Sequence, residues 1–572
     1  MDKRAGTAFL LGLLSATVVL SGCGVPSDGP AIEIPIEQND GSGNSSEGQE
    51  LLGPDVQPET SLTNFLQAAA GIASTRGDRL NNFYETPSND AVDPVVNVFK
   101  QIDLNPLPES EDGERSFRLR GENIGTYDQW GQLSPPDGKR EFTMDFTLSR
   151  TLPDGKWRLA DPPSRLLLDA KAFSQYYEVT PLYFQRKDSS TLVPDIRYTY
   201  KYAAPERKRD ELVLWLLNGP SDWLESAVST SFPPGTKLNS PLAVEGGALI
   251  VDLGSDAVTG DDKRMAAQLA WTLWEAASGL TLRLERNGQQ MSENSISGYL
   301  SSNPTAAAGE SGGSVHYLVD GAVAPADPAY QGLENAKYVA NSVSRERKVV
   351  VDHGNHLTVY VTSQKKLGEN VVTKTAVGGL PAGTLGRPSW VGEQTMLIPI
   401  GGKLYAVNVR KDGTWKVQPD SLLDGVGRVS VALDGGRAAL TLNGRAYVAP
   451  VIPQGDGTVE LGDRRPVERD VHNVIDIGWS EEHRLVLLTS GPKNFLRTVT
   501  IDNVAVVELK DEGPSFPPDY LVVYCDSPVD SRQASATTYV VVKGKLYQSE
   551  STGLRETLGL DGTPIQASAP FF

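Results

Sequence analysis

The C-terminal half of the 572-residue chain repeats one pattern of short apolar segments, and this repeat restricts the possible folds more than any other feature. Most repeats consist of an apolar triplet, a glycine turn and a second apolar segment, as in TMLIPIGGKLYAVNV and RAALTLNGRAYVAPV. The tyrosines of the second segments, Tyr405, Tyr447 and Tyr547, are 42 and 100 residues apart, which corresponds to one and two units. Units of this length built from short strands predict a β-propeller, because each four-stranded blade buries its faces only against neighbouring blades.

Apolar triplets mark five such units, at 349–351, 396–398, 438–440, 485–487 and 539–541. A sixth blade could form from the segment 315–319 together with residues of the C-terminus. We therefore expect an all-β propeller of about five to six blades over residues 314–572, preceded by a linker over 293–313.

Residues 59–200 combine helical and strand patterns and are predicted to form an α+β domain. Ser61 is the predicted cap of a first helix, whose apolar residues fall on one face. Apolar residues with a period of two follow around 117–119, 142–148 and 157–159 and indicate strands. A curved sheet with helices is possible here, as in the cones of the NTF2 group. The first half of the chain contains no histidine, so a structural or binding role is favoured over general-base catalysis.

Residues 201–292 are predicted to form a second, α/β domain. ELVLWLLNGP indicates a buried strand and a turn, Ser221 is the predicted cap of a helix, and LAVEGGALIVDLG indicates a hairpin. A helix beginning near Asp261 and a final strand complete the order. This order is similar to the GerMN domain of bacterial surface and sporulation proteins.

Several polar motifs in the chain have the composition of catalytic or metal sites. GESGG around Ser311 fits a protease nucleophile motif, but every histidine follows it and no strand leads into it. HGNH, with His353 and His356, indicates a hairpin turn more than a zinc site, since no further ligand is placed by sequence. The aspartates 252, 256, 261 and 262 do not have the spacing of a calcium loop. We therefore predict no catalytic residue, metal or cofactor.

The first residues have the pattern of a bacterial lipoprotein signal. Lys3 and Arg4 precede an apolar run of 13 residues, shorter than the roughly 20 residues needed to span a bilayer. The run ends in LSGC, which resembles a lipobox. The resemblance implies cleavage between Gly22 and Cys23, so that 1–22 is the signal peptide and Cys23 carries a diacylglyceryl group and an N-terminal acyl chain such as palmitate. The other cysteine, Cys525, is expected to be a buried free thiol.

The segment 23–58 is rich in Pro, Gly, Ser and acidic residues and is predicted to be a flexible, solvated tether. The formal net charge of the whole chain is −19, and removal of Asp2, Lys3 and Arg4 with the signal peptide, which together carry +1, leaves −20. Such a charge disfavours binding to nucleic acid and suggests a basic patch on a partner, with an affinity that falls as salt rises.

The order of lipobox, tether, α+β segment, GerMN-like segment and propeller resembles the actinobacterial LpqB family of lipoproteins. CGVPSDGP after Gly22 and DGKWRLADPP from Asp154 are the more specific stretches. The resemblance implies a protein anchored on the extracytoplasmic face of the cell membrane. It also implies a non-catalytic accessory that acts on the extracytoplasmic domain of the sensor kinase MtrB, in the MtrAB two-component system, and so influences cell-wall and division control.

The sequence leaves a second class of function open, namely a cell-envelope glycan-binding protein or a peptidoglycan hydrolase. A glycan-binding protein should present accessible Trp or Tyr side chains beside polar groups. A hydrolase should bring paired carboxylates or a Ser/His set together in one pocket.

Overall fold

The computed structural model describes residues 53–87, 95–110, 113–136, 140–254, 261–294, 315–333, 335–366, 369–410, 414–418, 421–490, 495–508, 518–523 and 537–572. These residues belong to one compact unit, Ser46–Phe572. The predicted signal peptide, most of the predicted tether with Cys23, and also Ser311 and Cys525 lie outside the described residues, and their roles stay predictions. None of the described helices is long and apolar enough to cross a membrane.

The N-terminal region packs helices beside a six-stranded sheet. Its elements are α1 (Pro58–Ala68), α2 (Ala73–Asn81), β1 (Val96–Pro106), β2 (Arg115–Tyr127), β3 (Leu133–Ser134), β4 (Glu141–Ser149), β5 (Arg158–Leu159), β6 (Leu166–Asp169) and α3 (Ala170–Tyr176). The sheet order is β5–β4–β2–β1–β6, with β3 paired to β2, and β1–β6 is its parallel pair. Phe117, Leu119, Phe146 and Leu148 are buried at alternate positions, which confirms the strands predicted from their period of two.

Helix α1 begins earlier than the sequence pattern predicted. Pro58 lies in its first turn, where the missing N–H of proline would have no partner in any case, and Gln57 precedes it without a side-chain cap. Ser61 lies inside the helix and is buried, and its hydroxyl donates to the Trp157 carbonyl at 2.6 Å. The prediction that Ser61 caps the helix is wrong because Pro58 already begins it one turn before.

A long hairpin follows and contributes to two hydrophobic cores. Its strands, β7 (Tyr177–Arg186) and β8 (Leu192–Tyr200), pair from Tyr177 and Tyr200 to the turn. The base of the hairpin packs through these two tyrosines into the core of the N-terminal sheet. The half near the turn packs through Phe184 into the core of the next region. The hairpin therefore links the two cores.

The second region is an α/β domain. Its elements are α4 (Pro205–Asn218), α5 (Asp222–Glu225), β9 (Val228–Ser229), β10 (Lys237–Leu238), β11 (Ala243–Glu245), β12 (Ala248–Gly254), α6 (Asp262–Thr272), β13 (Thr281–Arg286) and β14 (Gln289–Asn294). The sheet order is β10–β12–β13–β14, with β11 paired to β12, while β9 pairs with β7. The predicted hairpin β11–β12 and the predicted helix α6 are both present, and the Asp261 carboxylate caps α6 by accepting from Arg264 N.

The segment 211–218 was predicted as a strand, and the structure corrects this prediction. It forms the second half of helix α4, which begins with Pro205 in its first turn. Leu212, Trp215 and Leu216 are buried on one helical face. A short apolar run alone does not distinguish a strand from a buried helix, and here the polar residues before it extend the helix to 14 residues.

The C-terminal region consists of short antiparallel strands. Its first strands are β15 (His316–Val319), β16 (Ala322–Ala324), β17 (Ala336–Asn341), β18 (Arg347–Asp352), β19 (Leu357–Lys366), β20 (Glu369–Val377), β21 (Ser389–Val391), β22 (Thr395–Ile400), β23 (Lys403–Val409), β24 (Trp415–Val417), β25 (Leu423–Asp424), β26 (Val426–Val431) and β27 (Arg437–Leu442). The remaining strands are β28 (Arg445–Pro453), β29 (Val459–Leu461), β30 (Arg465–Val467), β31 (Val474–Glu481), β32 (Arg484–Thr489), β33 (Leu496–Thr500), β34 (Val506–Glu508), β35 (Tyr520–Val523), β36 (Thr538–Val542), β37 (Lys545–Glu550), β38 (Gly553–Glu556) and β39 (Ser568–Phe571).

The strands form a ring of six sheets within the described residues. Five sheets contain four consecutive strands each, β17–β20, β21–β24, β26–β29, β31–β34 and β35–β38, with β25 and β30 added to two of them. The sixth combines β15 and β16 with the C-terminal β39. Neighbouring first strands contact one another around the ring, and β39 contacts both β35 and β17. The predicted propeller is confirmed, including a sixth blade built from 315–319 and the C-terminus.

In two blades, a tryptophan of the first strand donates a hydrogen bond to the preceding blade. Trp390 Nε1 donates to the Ala340 carbonyl at 3.0 Å, and Trp479 Nε1 donates to the Ser430 carbonyl at 2.9 Å. Both rings are buried between blades, where an unpaired indole N–H would lose free energy. The same indole hydrogen bond therefore joins neighbouring blades at two positions.

Candidate functional site at the junction of the hairpin and the propeller

The aspartates that the sequence groups together have separate structural roles. Asp252 accepts from Gly288 N at 2.9 Å and Asp262 pairs with Arg286 at 2.9 Å, while Asp261 caps α6. Asp256 lies outside the described residues. These carboxylates are thus used in a turn, an ion pair and a helix cap.

The two histidines of HGNH lie in the turn between β18 and β19, as the hairpin interpretation predicted. The His356 ring nitrogen Nδ1 is 3.1 Å from Asp352, and the side chain is largely exposed. Among the described residues, no group of three or more His, Cys, Asp or Glu is arranged to hold a metal ion.

The turn of the β7–β8 hairpin approaches the face of the propeller where first strands lead into second strands. Two glycines of the turn between β26 and β27 allow the close approach. A Cβ atom on Gly436 would lie 2.7 Å from Val193, and one on Gly435 would lie 2.0 Å from the Arg186 guanidinium. Gly435 also has a φ of 69°, which a side chain rarely adopts. The local backbone is therefore shaped to receive the hairpin.

Side-chain hydrogen bonds hold the hairpin on this face. The Tyr183 hydroxyl donates to the Glu482 carboxylate at 2.7 Å in the interior, and the Tyr198 hydroxyl donates to Asp502 at 2.5 Å. Burial raises the pKa of Tyr183 well above its usual value, and the Glu482 charge raises it further. Both tyrosines therefore act as neutral donors to propeller carboxylates.

The propeller turn beneath the hairpin contains a buried ion pair. Arg437 donates two hydrogen bonds to Asp434, at 2.6 and 3.2 Å, and one to the Glu482 carbonyl at 2.5 Å. Burial, with the nearby Arg484 and Arg437, lowers the pKa of His483 to about 3. His483 is therefore neutral at neutral pH.

A second buried network lies on the strand β8 and holds the start of the α/β domain. Asp195 accepts from Arg197 at 2.7 Å and from both the backbone N and the hydroxyl of Ser221. Ser221 stands at the N-cap position of the single-turn helix α5, but its hydroxyl donates to Asp195 and so does not cap the helix as predicted. Nearby, Trp223 Nε1 donates to the Asp463 carbonyl of the propeller at 2.7 Å.

A third buried network joins blades at the first strands of the propeller. Asp476 accepts from the Arg387 guanidinium at 2.5 Å and from the Leu521 backbone N at 3.0 Å. Arg387 also donates to the Leu521 carbonyl at 2.7 Å. Its charged group lies over the Tyr520 ring, 4.7 Å from the ring centroid. This network therefore connects three blades.

A cavity of about 630 Å³ opens beside the hairpin turn, between the turn and three propeller blades. Its lining includes Arg186, Asp188, Gln394, Asn408 and Gln454. Arg186 donates to Asp188 through Nε and Nη2, at 2.5 and 2.7 Å, which neutralises both groups. The lining also includes hydroxyl and further charged groups, among them Thr458, Arg345 and Glu393, beside apolar residues.

Sequence reasoning did not find this junction, because its partners are far apart in the chain. Tyr183 and Glu482 are separated by 299 positions. The one local signal is DGGR, Asp434 to Arg437, which places an acid and a base three residues apart around two glycines. The junction therefore joins the β7–β8 hairpin to the propeller through polar groups that pair with one another.

Comparison with family models divides the chain in the same order as the fold. Residues 53–174 match the model described as "Lipoprotein LpqB, N-terminal domain", and residues 313–523 match "Lipoprotein LpqB beta-propeller domain". Residues 181–292, between them, match "Sporulation and spore germination". The chain belongs to the LpqB lipoprotein family. This confirms the resemblance inferred from the sequence.

Curated relatives named "Lipoprotein LpqB" agree with this assignment. The chain is 25% identical to the one from Nocardia farcinica, over 98% of both chains, and 25% identical to the one from Mycolicibacterium smegmatis, over 88% of this chain and 89% of the relative. It is 30% identical to the one from Thermobifida fusca over 48% of this chain and 45% of the relative. The chain is therefore a lipoprotein with a C-terminal β-propeller, which implies that it is anchored to a membrane.

Solved structures also resemble part of the chain. A chain of a nidogen/laminin complex covers 45% of this chain, with 96% of its own length, at a TM-score of 0.30 and 10% identity. A resemblance this weak carries no argument about function.

Proposed function

We propose that this chain is a lipoprotein of the extracytoplasmic face of the membrane and a non-catalytic accessory of the MtrAB two-component system. In this proposal it binds the extracytoplasmic sensor domain of the kinase MtrB and thereby influences cell-wall and division control. The observation that carries the proposal is the match to both LpqB domain models, in order, in a chain that aligns with a "Lipoprotein LpqB" over 98% of its length.

The junction supports a scaffolding role. Tyr183 of the hairpin donates to the buried Glu482 of the propeller, and Arg437 donates to the Glu482 carbonyl within the propeller. Groups used in this way are not available as acids, bases or nucleophiles. With the hairpin fixed on the propeller, the regions on the two sides of this junction can present their outer surfaces to a protein partner in a constant arrangement.

The charge of the chain supports a partner with a basic surface. The formal net charge of −19 becomes −20 if the residues before Cys23 are removed. Charge complementarity of this kind accelerates association and adds selectivity, and both effects weaken as salt rises.

The proposal is tested with the kinase MtrB in proteoliposomes, to which the mature lipidated chain is added on the side of the sensor domain. We expect the initial rate of autophosphorylation, followed with radiolabelled ATP, to change with the amount of lipoprotein and to saturate. The Cys23→Ser variant, which cannot be lipidated at this position, should need a higher concentration for the same effect because it is not confined to the membrane. A rate that is independent of the lipoprotein would contradict the proposal.

A further inference from the structure

A cavity of about 470 Å³ lies within the α/β domain, between the hairpin β7–β8, α4 and the C-terminal end of α6. Its lining combines three aromatic rings with charged side chains: Glu178, Tyr183, Lys208, Trp271, Trp274 and Glu275. The volume is in the range of small-molecule sites. A lining of aromatic groups with a few polar ones is also typical of such sites. None of the predicted site residues lies here.

The aromatic part of the cavity is a stacked pair of indole rings with a tilted phenol ring beside it. The rings of Trp271 and Trp274 are stacked, with centroids 5.6 Å apart and planes at 28°. The Tyr183 ring lies 5.9 Å from Trp271. Trp271 and Tyr183 are buried, whereas Trp274 is half-buried. Trp274 lies two residues after the end of α6, so the helix fixes its position in the chain.

The polar part of the cavity contains both hydrogen-bond donors and hydrogen-bond acceptors. Lys208 and Glu178 form an ion pair on the rim. The exposed Glu275 side chain has no ion pair or hydrogen bond in the described part of the chain. The hydroxyl of Tyr183 is not available, because it donates to Glu482 in the propeller. The rim therefore offers carboxylates and an ammonium group beside an apolar ring face.

We propose that this cavity binds a saccharide of one or two hexose units, with the C–H face of a sugar ring on Trp274 and its hydroxyls on Glu275, Glu178 and Lys208. A sugar has the required combination of an apolar face and a polar edge that donates and accepts. An ammonium ligand fits less well. The rings are stacked as a platform and do not form a cage, and Lys208 both neutralises Glu178 and repels a cation. The inference goes beyond the accessory function and does not depend on it.

The test uses the compact unit Ser46–Phe572, which contains all the described cores. It is titrated in a calorimeter with N,N′-diacetylchitobiose, with cellobiose and, separately, with choline, and tryptophan fluorescence is followed in parallel. We expect saturable binding of at least one disaccharide with a change in fluorescence. Trp274→Ala should weaken this binding at least about tenfold, since a stacked ring contributes roughly 1.5 kcal/mol. Glu275→Gln should weaken it less.

The matched control is Trp415→Ala, which removes an exposed tryptophan of the propeller and should leave binding unchanged. Because Trp274 is only half-buried, Trp274→Ala should keep the circular dichroism spectrum of the original chain. The absence of saccharide binding in the millimolar range, binding of choline alone, or saccharide binding that Trp274→Ala leaves intact would each overturn the proposal.

Discussion

Two of the contacts between the propeller and the rest of the molecule differ in character. At the hairpin, Tyr183 and Arg437 both donate to Glu482, and all three side chains are buried. At the N-terminal sheet, Lys100 pairs with Asp470 at 2.8 Å, with 42% and 62% of the two side chains exposed, and also lies 3.3 Å from the buried Glu468.

The difference indicates which contact determines the arrangement of the domains. A buried polar group that loses its partner keeps the full cost of desolvation, whereas an exposed ion pair is largely replaced by water and salt. We therefore expect the hairpin contact to hold the domains in one arrangement and the exposed Lys100–Asp470 pair to contribute little.

The largest effect is expected for Arg437→Met. Asp434 would stay buried without its partner, and the free energy of unfolding should fall by about 3–5 kcal/mol in urea denaturation. Arg118→Met is the matched control, because Arg118 makes the same two hydrogen bonds to Asp145 on an exposed surface. Its stability should not change measurably, and equal losses in the two variants would contradict the comparison.

Tyr183→Phe should have the next largest effect. The ring stays, but the buried Glu482 carboxylate loses a donor at 2.7 Å, which should cost about 1–3 kcal/mol in the same experiment. Tyr202→Phe, at a ring that is 49% exposed, is the control and should be neutral. If the two variants were equally stable, the Tyr183 bond would not hold the hairpin on the propeller.

The buried His483 should make stability depend on pH. Its pKa is lowered to about 3 in the folded chain, so the unfolded chain, with the usual pKa near 6.5, binds the proton first as pH falls. Stability should therefore be constant above pH 7 and decrease as pH falls from about 6.5, by about 1.4 kcal/mol between pH 7.5 and 5.5.

The contribution of His483 is obtained by repeating the pH series with His483→Leu, which cannot take up a proton. As pH falls, the free energy of unfolding of the original chain should decrease relative to that of His483→Leu. Glu481 lies 3.6 Å from the His483 ring, and the loss of stability would be smaller if Glu481 moved closer to the protonated ring. Parallel pH profiles for the two chains would show that His483 is not responsible.

The smallest effect is expected for Asp470→Ala, which removes the exposed pair and leaves Lys100 beside the buried Glu468. The loss should be about 0–1 kcal/mol and should shrink further at high salt, because exposed ion pairs are screened. Denaturation at low and at high salt measures this. A loss larger than that of Tyr183→Phe would reverse the comparison between the two contacts.

The propeller was predictable because its repeat is local. Most of the four-stranded blades contain an apolar triplet in the second strand, such as Met396–Ile398 in β22, followed by a glycine turn, and both features can be read within 15 residues. The closing blade was also predictable, since the strand at 315–319 had no other partner in the repeat. Its pairing with β39 supplied that partner.

The hairpin contact was not predictable, because it depends on which distant surfaces meet. Nothing near Tyr183 in sequence indicates Glu482, which is 299 positions away. The helix α4 was missed for a different reason, because its apolar half has the composition of a strand and its helical face is defined only by packing. The cavity at Trp274 likewise needs the hairpin and two helices to be placed before it exists.

The most direct test of the proposed function is calorimetric titration of the compact unit Ser46–Phe572 with the purified extracytoplasmic domain of MtrB. The account predicts saturable binding, with an affinity that falls as salt rises because the chain is strongly acidic. No heat of binding at high micromolar concentrations of both proteins would contradict it.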